Sequence, residues 1–215
     1  MLEIYWFDSL PSTQCSLIED IKSSKVVPPV VYAAQRQPQG IGSRGNSWDD
    51  VGEALFFSCA LDEATLPVDL PTISLSLYFG MLFKEELASH GSKVWLKWPN
   101  DLYRENQKIG GIITAKVGQA IVFGIGLNLV SKYDDYASCD IFIEKKSFLE
   151  TFTRSFDSLP SWKQIFSKYR VEFLLNRNNF FHKSGVGSVL VSMSDAVLAD
   201  DGALVIDGER IYSLR

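Results

Sequence analysis

The chain has 215 residues, of which 46% are hydrophobic and 22% charged, and its formal net charge is -5. This composition is typical of a globular protein, and the length allows one large domain with a substantial core. The acidic balance and the scattered lysines and arginines argue against a nucleic-acid-binding protein, and no apolar run reaches the ~18 residues of a membrane span.

Strand and helix patterns alternate in the first third of the chain. Residues 2–7 are typical of a strand, and the helix pattern that follows would be capped by Ser12 or Thr13. A second strand, "PPVVYAA", leads into the glycine-rich segment "QRQPQGIGSRGNSWDDVG" and then to the apolar strand "EALFFSCAL". Irregular connections of this length inside compact domains are usually functional or mobile.

The remainder of the chain combines helices with further strands. A helix opens at Asp69 and runs to about His90, and strands follow at "KVWLKW", "KIGGIITAKV" and "AIVFGIGLNLV". Helices resume at about 146–157 and 160–176, and the tail from Phe180 onward predicts short strands joined by turns. The helix that opens at Asp69 has one approximate apolar face, formed by Ile73, Leu77, Gly80, Met81 and Phe83 or Lys84. We therefore predict an α+β fold with a mixed, largely antiparallel sheet flanked by helices.

The cysteines and histidines show no pattern of a metal site or a disulfide framework. The cysteines are widely spaced without a C-x-x-C pair, so reduced thiols are expected. The histidines belong to no constellation typical of a triad or a metal cluster. The N-terminus has no basic segment followed by an apolar one, which predicts a cytoplasmic protein. The residues concerned are Cys15, Cys59, Cys139, His90 and His182.

The segment "GIGSRG", from Gly40 to Gly45, satisfies the pattern G-x-G-x-x-G of dinucleotide-binding folds. That motif needs a helix directly after it, whereas an apolar strand follows here, so the dinucleotide interpretation fails. A protein-kinase loop does lie between strands, but the sequence contains none of the other kinase motifs. The glycines alone are compatible with a plain surface loop.

Other residues of the same segment favour a binding loop. Gln37 and Asn46 supply amides, Arg44 a fixed positive charge, and Trp48 an aromatic plate, which together suit an anionic ligand with a flat base. Trp48 either stacks on a purine or anchors the end of the loop in the core, and the sequence leaves both interpretations open.

Four blocks of the sequence, taken in order, resemble the biotin protein ligases. They are "STQ" at 12–14, "QPQGIGSRGNSW" at 37–48, "KWPND" at 97–101 with "KIGGI" at 108–112, and "GIGLNL" at 124–129. KWPND followed by K-I-G-G is highly specific, whereas the glycine segment alone would be weak evidence. The C-terminal "GALVIDGERIYSLR" is also similar to the end of that family's small β-subdomain.

The resemblance implies a catalytic domain over residues 1–178, with a fold like that of class II aminoacyl-tRNA synthetases, and an SH3-like β-subdomain over residues 179–215. It implies an ATP-dependent ligase that converts biotin to biotinyl-5'-AMP and pyrophosphate, with Mg2+ accompanying ATP. The biotinyl group then forms a carbon–nitrogen bond to a lysine of a biotin carboxyl carrier domain, in acetyl-CoA carboxylase or another biotin-dependent enzyme. Neither nucleic acid nor a membrane is expected as a partner.

Two residues are assigned to the chemistry. A carboxylate and a triphosphate must be brought together, so a preplaced cation is needed, and Lys108 beside two glycines is the first choice. Asp101 takes or orients the proton of the attacking lysine, which is mostly protonated at neutral pH. Asn100 is a positioning group at the turn that Pro99 fixes, whereas Lys97 either contacts phosphate or braces that turn.

Binding residues come from the same blocks. Ser12, Thr13 and Gln14 are explained most simply as a helix cap; by resemblance they hold the cyclic urea of biotin, which asks for paired donors and acceptors. The predicted biotin-binding set is Ser12, Thr13, Gln14, Gln37, Gly40, Ile41, Gly42, Ser43, Lys108 and Gly111. The predicted nucleotide-binding set is Arg44, Trp48, Asn100, Lys108 and Asn128, of which the last is either a turn residue or an adenine contact opposite Trp48.

The chain departs from the family in two ways. Many members carry arginines where Ile41 and Ser43 stand here, and we hypothesise that Arg44 supplies the missing positive charge as a third catalytic residue. No helix-turn-helix precedes "LEIYWF", so a monofunctional ligase is expected. The alternatives are a lipoate-protein ligase or octanoyltransferase of the same fold, although no cysteine lies in the block of the site lysine, and a non-catalytic biotin- or nucleotide-sensing module.

Overall fold

The structure is a computed structural model that describes residues 2–42, 48, 52–131, 137–183 and 189–212. The strands of its main sheet are β1 (Glu3–Phe7), β2 (Val30–Ala34), β3 (Gly52–Asp62), β4 (Trp95–Lys97), β5 (Asp101–Arg104), β6 (Gln107–Val117) and β7 (Ala120–Ser131). Their order across the sheet is β1-β2-β3-β7-β6-β5-β4. β1 and β2 are parallel, and the other neighbouring pairs are antiparallel. The predicted mixed, largely antiparallel sheet is thereby confirmed.

The α-helices of the described chain are α1 (Thr13–Lys22), α2 (Leu75–Ser89), α3 (Lys145–Arg154) and α4 (Trp162–Glu172). The Ser12 side chain accepts a hydrogen bond from the Cys15 N–H and caps α1, as one of the two predicted candidates. Ser161 and Gln164 form a reciprocal capping box at the start of α4. These local bonds satisfy N–H groups that a helix start leaves without partners.

Helix boundaries differ from the sequence prediction where 3-10 turns intervene. α2 begins at Leu75 rather than at Asp69, because a 3-10 turn over Thr72–Ser74 precedes it. The region predicted as one helix over 160–176 divides into α4 and a 3-10 helix over Phe173–Asn178. A short 3-10 turn keeps apolar residues about three apart, so a periodicity search does not separate it from an α-helix.

α2 is buried on nearly every side, with residues 75–83 all buried. The sequence predicted a single apolar face, and the difference arises because α2 contacts both the sheet and α4. Helices that are apolar all round are typical of such central positions.

Side chains of the main sheet alternate between two hydrophobic clusters. One side packs with α2, α3 and α4 in the large cluster, and the other side packs against α1. The smaller cluster consists of Leu17, Val30, Tyr32, Ala60 and Val122. Residues of β3 and β7 that share the parity of Ala60 and Val122 therefore face the α1 side of the sheet.

Short strands complete the described chain. β8 (Phe180–Lys183) pairs with β9 (Val189–Ser192), and β10 (Val197–Leu198), β11 (Leu204–Ile206) and β12 (Glu209–Ile211) form a three-stranded sheet. Four residues from this region join the large cluster: Met193, Ala196, Leu204 and Ile211. The C-terminal strands thus share their core with the main sheet. None of the helices described here is long and apolar enough to cross a membrane.

Candidate active site

A cavity opens on the α1 side of the sheet, and its volume is about 600 Å³ when the adjoining space open to solvent is included. Glycines create it, because Gly124 and Gly126 continue the face of β7 on which Val122 packs against α1. A Cβ at Gly124 would lie 2.7 Å from Gln14 Oε1 and 2.8 Å from Ser58 Oγ, so no larger residue fits without displacing them. The alternating glycines of "GIGLNL" therefore hollow out one side of a strand whose other side is core.

One end of the cavity is polar and neutral. Thr13 donates its N–H to Gln37 Oε1 over 2.6 Å, and its hydroxyl lies 2.9 Å from the Ser58 hydroxyl. Gln14 donates from Nε2 to the Val122 carbonyl, which leaves Gln14 Oε1 buried and without a hydrogen-bond partner in the described chain. Buried polar atoms normally have partners, so this oxygen suits a ligand that brings an N–H group.

Ser58 belongs to this polar end but was missed in the sequence analysis. It is fully buried in β3, with the same parity as Ala60, and it lines the cavity. The available signal was one hydroxyl inside the apolar run "EALFFSCAL". A single serine in such a run indicates no binding role, because an isolated hydroxyl is compatible with a core strand.

The other end of the cavity is charged. Strand pairing aligns Lys97 with Asp101, Asp101 with Gly111, and Gly111 with Gly126 across four neighbouring strands. Lys108 lines the cavity, and its Nζ lies 2.6 Å from Asp101 Oδ1. Asp101 is the only carboxylate among the described residues that line the cavity. The lining itself holds one lysine and one carboxylate, and the excess positive charge that favours an anionic ligand comes from Lys97 nearby.

Lys97 lies beside this pair without lining the cavity. Its Nζ donates to Tyr103 Oη over 3.1 Å and lies 4.8 Å from the centre of the Tyr103 ring. Burial lowers the pKa of Lys97, and the charge of Lys108 lowers it further, while Asp101 partly offsets both effects. The contact with Tyr103 accords with the predicted bracing role, and the phosphate role stays a prediction.

Trp48 closes one side of the cavity over Gly126. The backbone N–H of Trp48 donates to the Gly40 carbonyl over 2.8 Å. A Cβ at Gly126 would lie 3.2 Å from the six-membered ring of the indole. The ring meets Phe56 edge-on at 6.4 Å between centroids, and its buried Nε1 has no partner among the described residues. The indole is thus anchored at its edge and also borders the cavity, so both predicted roles are compatible with its position.

The remaining predicted residues divide into those that line the cavity and those that do not. Asn100 lines it and forms two hydrogen bonds with Ile112. Asn100 Nδ2 donates to the Ile112 carbonyl over 2.7 Å, and the Ile112 N–H donates to the Asn100 carbonyl over 2.8 Å. Asn128 is buried, donates to the Ala137 carbonyl over 3.3 Å, and is not among the lining residues. Ser43 and Arg44 lie outside the described residues. The predicted residues that line the cavity are Ser12, Thr13, Gln14, Gln37, Ile41, Gly42, Trp48, Asn100, Asp101, Lys108 and Gly111.

The described residues contain no cluster of three or more His, Cys, Asp or Glu side chains that could hold a metal ion. At the cavity, Asp101 could contribute one carboxylate ligand. A magnesium ion bound by nucleotide phosphates needs only one or two such ligands from a protein.

Comparisons with known proteins converge on one family. Residues 6–129 match the family model described as the biotin/lipoate A/B protein ligase family. The fold is similar to the crystal structure of biotin acetyl coenzyme A carboxylase synthetase from Helicobacter pylori with bound biotinylated ATP. That similarity has a TM-score of 0.94 and 42% sequence identity, and it covers 99% of this chain and 100% of that chain.

Two curated relatives match over part of their length. The bifunctional ligase/repressor BirA of Escherichia coli (strain K12) is 38% identical over 106 residues, which are 46% of this chain and 32% of the relative. The biotin acetyl-CoA-carboxylase ligase of Mycobacterium tuberculosis (strain ATCC 25618 / H37Rv) is 29% identical over 125 residues, which are 55% of this chain and 46% of the relative. The chain thus spans less than half the length of either.

Proposed function

The chain belongs to the biotin/lipoate A/B protein ligase family, and on that premise we propose that it is an ATP-dependent biotin protein ligase. It activates biotin to biotinyl-5'-AMP and then transfers the biotinyl group to a lysine of a biotin carboxyl carrier domain, in acetyl-CoA carboxylase or another biotin-dependent enzyme. The names of the similar proteins from Helicobacter pylori and Mycobacterium tuberculosis support this substrate. The three free cysteines accord with the reducing cytoplasm, which we propose as its location.

One observation carries the proposal: a single cavity joins a neutral polar end to an end lined by the Lys108–Asp101 ion pair, with Lys97 as a further ammonium group nearby. Gln14, Thr13 and Ser58 offer donors and acceptors to a cyclic urea, while Lys108, paired with Asp101 at the other end, offers a cation to the valeryl carboxylate and the nucleotide phosphates. A ligand that is neutral at one end and anionic at the other matches this distribution of charge.

In the first half-reaction, a carboxylate oxygen of biotin attacks the α-phosphorus of ATP and the bond to pyrophosphate breaks. Lys108 holds the two anions together and stabilises the negative charge that develops on the oxygens between them. Asp101 neutralises the Lys108 ammonium until the anions arrive, because the two groups form an ion pair. Mg2+ accompanies ATP and supplies charge neutralisation at the phosphates.

In the second half-reaction, the acceptor amine attacks the acyl carbon of the adenylate and AMP leaves. The amine must lose a proton to become a nucleophile, and Asp101 is the carboxylate available at the cavity to accept or orient it. Asn100, fixed by both of its bonds to Ile112, keeps the adjoining backbone in place. We assign Asn100 a positioning role.

The decisive assay supplies ATP, Mg2+, biotin and a biotin carrier domain and measures biotinylated carrier. We expect the parent protein to label the carrier and Lys108→Ala to lose labelling. Lys116→Ala is the matched control, because Lys116 lies on the same strand, has the same 46% side-chain exposure and forms an ion pair of the same 2.6 Å length with Glu63. If the parent protein does not label the carrier, the proposed ligase activity is refuted. If Lys108→Ala and Lys116→Ala lose labelling equally, the proposed role of Lys108 is refuted.

The polar end also separates biotin from lipoate, which the family description leaves open. The urea of biotin brings two N–H donors, whereas a dithiolane ring or an alkyl chain brings none and would leave Gln14 Oε1 unsatisfied. Sites built on such hydrogen bonds discriminate strongly against analogues that lack them. Calorimetry should therefore detect biotin and not lipoate, and the reverse result would favour a lipoate-protein ligase.

A further inference from the structure

Three consecutive carbonyl groups of the turn at residues 200–202 accept hydrogen bonds from side chains of the main domain. Trp162 Nε1 donates to the Asp200 carbonyl over 2.9 Å, and the Ser74 hydroxyl donates to the Asp201 carbonyl. Trp98 Nε1 donates to the Gly202 carbonyl over 3.0 Å. The donors come from the starts of α4 and α2 and from the turn between β4 and β5, so the C-terminal turn is held by three separate parts of the fold.

The turn fits its site closely. Gly202 is buried with φ of +81°, a conformation that other residues rarely adopt. A Cβ at this position would collide with the Ser74 hydroxyl and would lie 3.0 Å from Leu77 and 3.3 Å from Trp162. The position of the Gly202 carbonyl is therefore tightly fixed relative to α2 and α4.

Trp98 connects this fixed carbonyl to the cavity. Its side chain is 1% exposed, and its backbone N–H donates to Asn176 Oδ1 over 2.8 Å. Two residues further along the chain, Asn100 lines the cavity, and Asp101 follows with its ion pair to Lys108. Trp98 itself does not line the cavity, so its contribution must pass through the backbone of residues 99–101.

We propose that Trp98 is a positioning residue, which transmits the docking of the 200–202 turn to the placement of Asn100 and Asp101. The small C-terminal sheet then has a part in catalysis without touching substrate, because its turn fixes the indole from which the active-site turn extends. This role rests on the proposed ligase function for its effect on rate, although the mechanical link itself does not. Small displacements of reacting groups have large effects on rate, since productive geometry is narrow.

Trp98→Phe and Trp162→Phe form a matched pair to test this link. Each substitution keeps an aromatic ring and removes an indole N–H bond to the same turn, but only Trp98 belongs to the turn that carries Asn100 and Asp101. We expect Trp98→Phe to lower kcat for carrier biotinylation by about tenfold to a hundredfold, with the KM for biotin within about twofold of the parent. Trp162→Phe should leave both constants within about twofold of the parent. It should lower the unfolding temperature by about as much as Trp98→Phe does, because each variant loses one hydrogen bond to the turn.

Hydrogen–deuterium exchange measures the link without any activity. The amides of residues 100–102 should exchange about tenfold faster in Trp98→Phe than in the parent, and should be unchanged in Trp162→Phe. If Trp98→Phe does not fold, Gly202→Ala perturbs the same bond from the other partner and should speed exchange of the same amides. Unchanged exchange in residues 100–102, or an equal change in the Trp162 variant, would overturn the proposal. If the parent protein fails to label the carrier, the proposed ligase function is refuted. The exchange rates of residues 100–102 still test the link between the 200–202 turn and the active site in that case.

Discussion

Lys108 and Asp101 form an ion pair, with the ammonium nitrogen 2.6 Å from the carboxylate oxygen, although the proposed reaction gives them separate roles. The side chains are 46% and 22% exposed, so the pair contributes little to stability, typically below about 1 kcal/mol for such positions. Its value is electrostatic. Each group holds the other in position until the substrate anions engage the lysine.

Lys108→Ala should therefore disable the first half-reaction without unfolding the protein. We expect the rate of biotinyl-5'-AMP formation to fall by about a hundredfold or more, because a preplaced cation at the reacting oxygens is lost. The release of pyrophosphate measures this rate. The free energy of unfolding should change by less than about 1 kcal/mol. Urea denaturation of the same preparation checks the second point, and a large loss of stability would mean that Lys108 is chiefly structural.

Asp101→Asn should affect the second half-reaction more than the first. Asparagine keeps the size of the side chain and its hydrogen bonding but cannot accept the proton of the incoming amine, so transfer from preformed adenylate should slow by about a hundredfold. Adenylate formation should change far less, because Lys108 remains. Single-turnover measurements of each step, with Glu63→Gln as a control that removes the partner of Lys116, separate the two effects. Equal losses in both steps would contradict a role in proton transfer.

The sequence was informative where side-chain chemistry is tied to a local pattern. The KWPND and KIGGI blocks predicted that Asp101 and Lys108 belong to one site, and the pairing of β5 with β6 brings them together. The helix cap was predicted as Ser12 or Thr13, and Ser12 is the one observed, because a cap depends only on the next few residues. Both features follow from interactions that are short in sequence.

Features that depend on distant parts of the chain were not predictable in this way. Ser58 acquires its role only when β3 lies beside α1, 45 positions away along the chain from its partner Thr13. The Asn128 amide donates to the Ala137 carbonyl, a contact that no pattern in the sequence indicates, and its assignment to the nucleotide stays a prediction. The hydrogen bond between Trp98 and Gly202 spans 104 positions. Such contacts are set by packing, which periodicity does not encode.

Gly124→Ala should severely weaken biotin binding while the fold persists. The new methyl group would lie 2.7 Å from Gln14 Oε1 and 2.8 Å from Ser58 Oγ, so it would occupy the polar end of the cavity. We expect the Kd for biotin to rise by about a hundredfold or more, because the urea would lose both space and hydrogen-bond partners. Calorimetry checks the affinity and a thermal melt checks the fold. Unchanged affinity in a folded variant would mean that the urea binds elsewhere.

Trp48→Leu should weaken nucleotide use selectively. The indole borders the cavity over Gly126, and loss of stacking on a base costs roughly 1 to 3 kcal/mol, so the KM for ATP should rise by about 5-fold to 150-fold. Biotin affinity, measured without nucleotide, should change less, because the polar end lies around Gln14 and Ser58. If biotin binding falls as much as ATP use, Trp48 acts mainly as the anchor of the loop rather than as a stacking platform.

Lys97 gives a prediction for the pH dependence of stability. Burial lowers the pKa of its ammonium from the ordinary 10.5, with Lys108 acting in the same direction, so the folded state releases this proton at lower pH than the unfolded state. Between the two pKa values the unfolded state binds more protons, and the free energy of unfolding rises with pH. The penalty of burying the charge is thus fully present below the folded pKa and disappears above 10.5.

Lys97→Met keeps most of the aliphatic stem and removes the charge, so it should remove this rise. Relative to the parent, the variant should be most favoured at pH values below the lowered pKa of Lys97, and its advantage should shrink as the pH rises toward 10.5. Burial raises the pKa of Tyr103 to about 12, which costs both proteins stability above its ordinary pKa of 10.0, so the comparison depends on the difference between them. Urea midpoints across this range provide the measurement, with Lys93→Met as the control because Lys93 is exposed just before the same strand. A difference between Lys97→Met and the parent that stays constant with pH would show that the Lys97 ammonium is not penalised by burial.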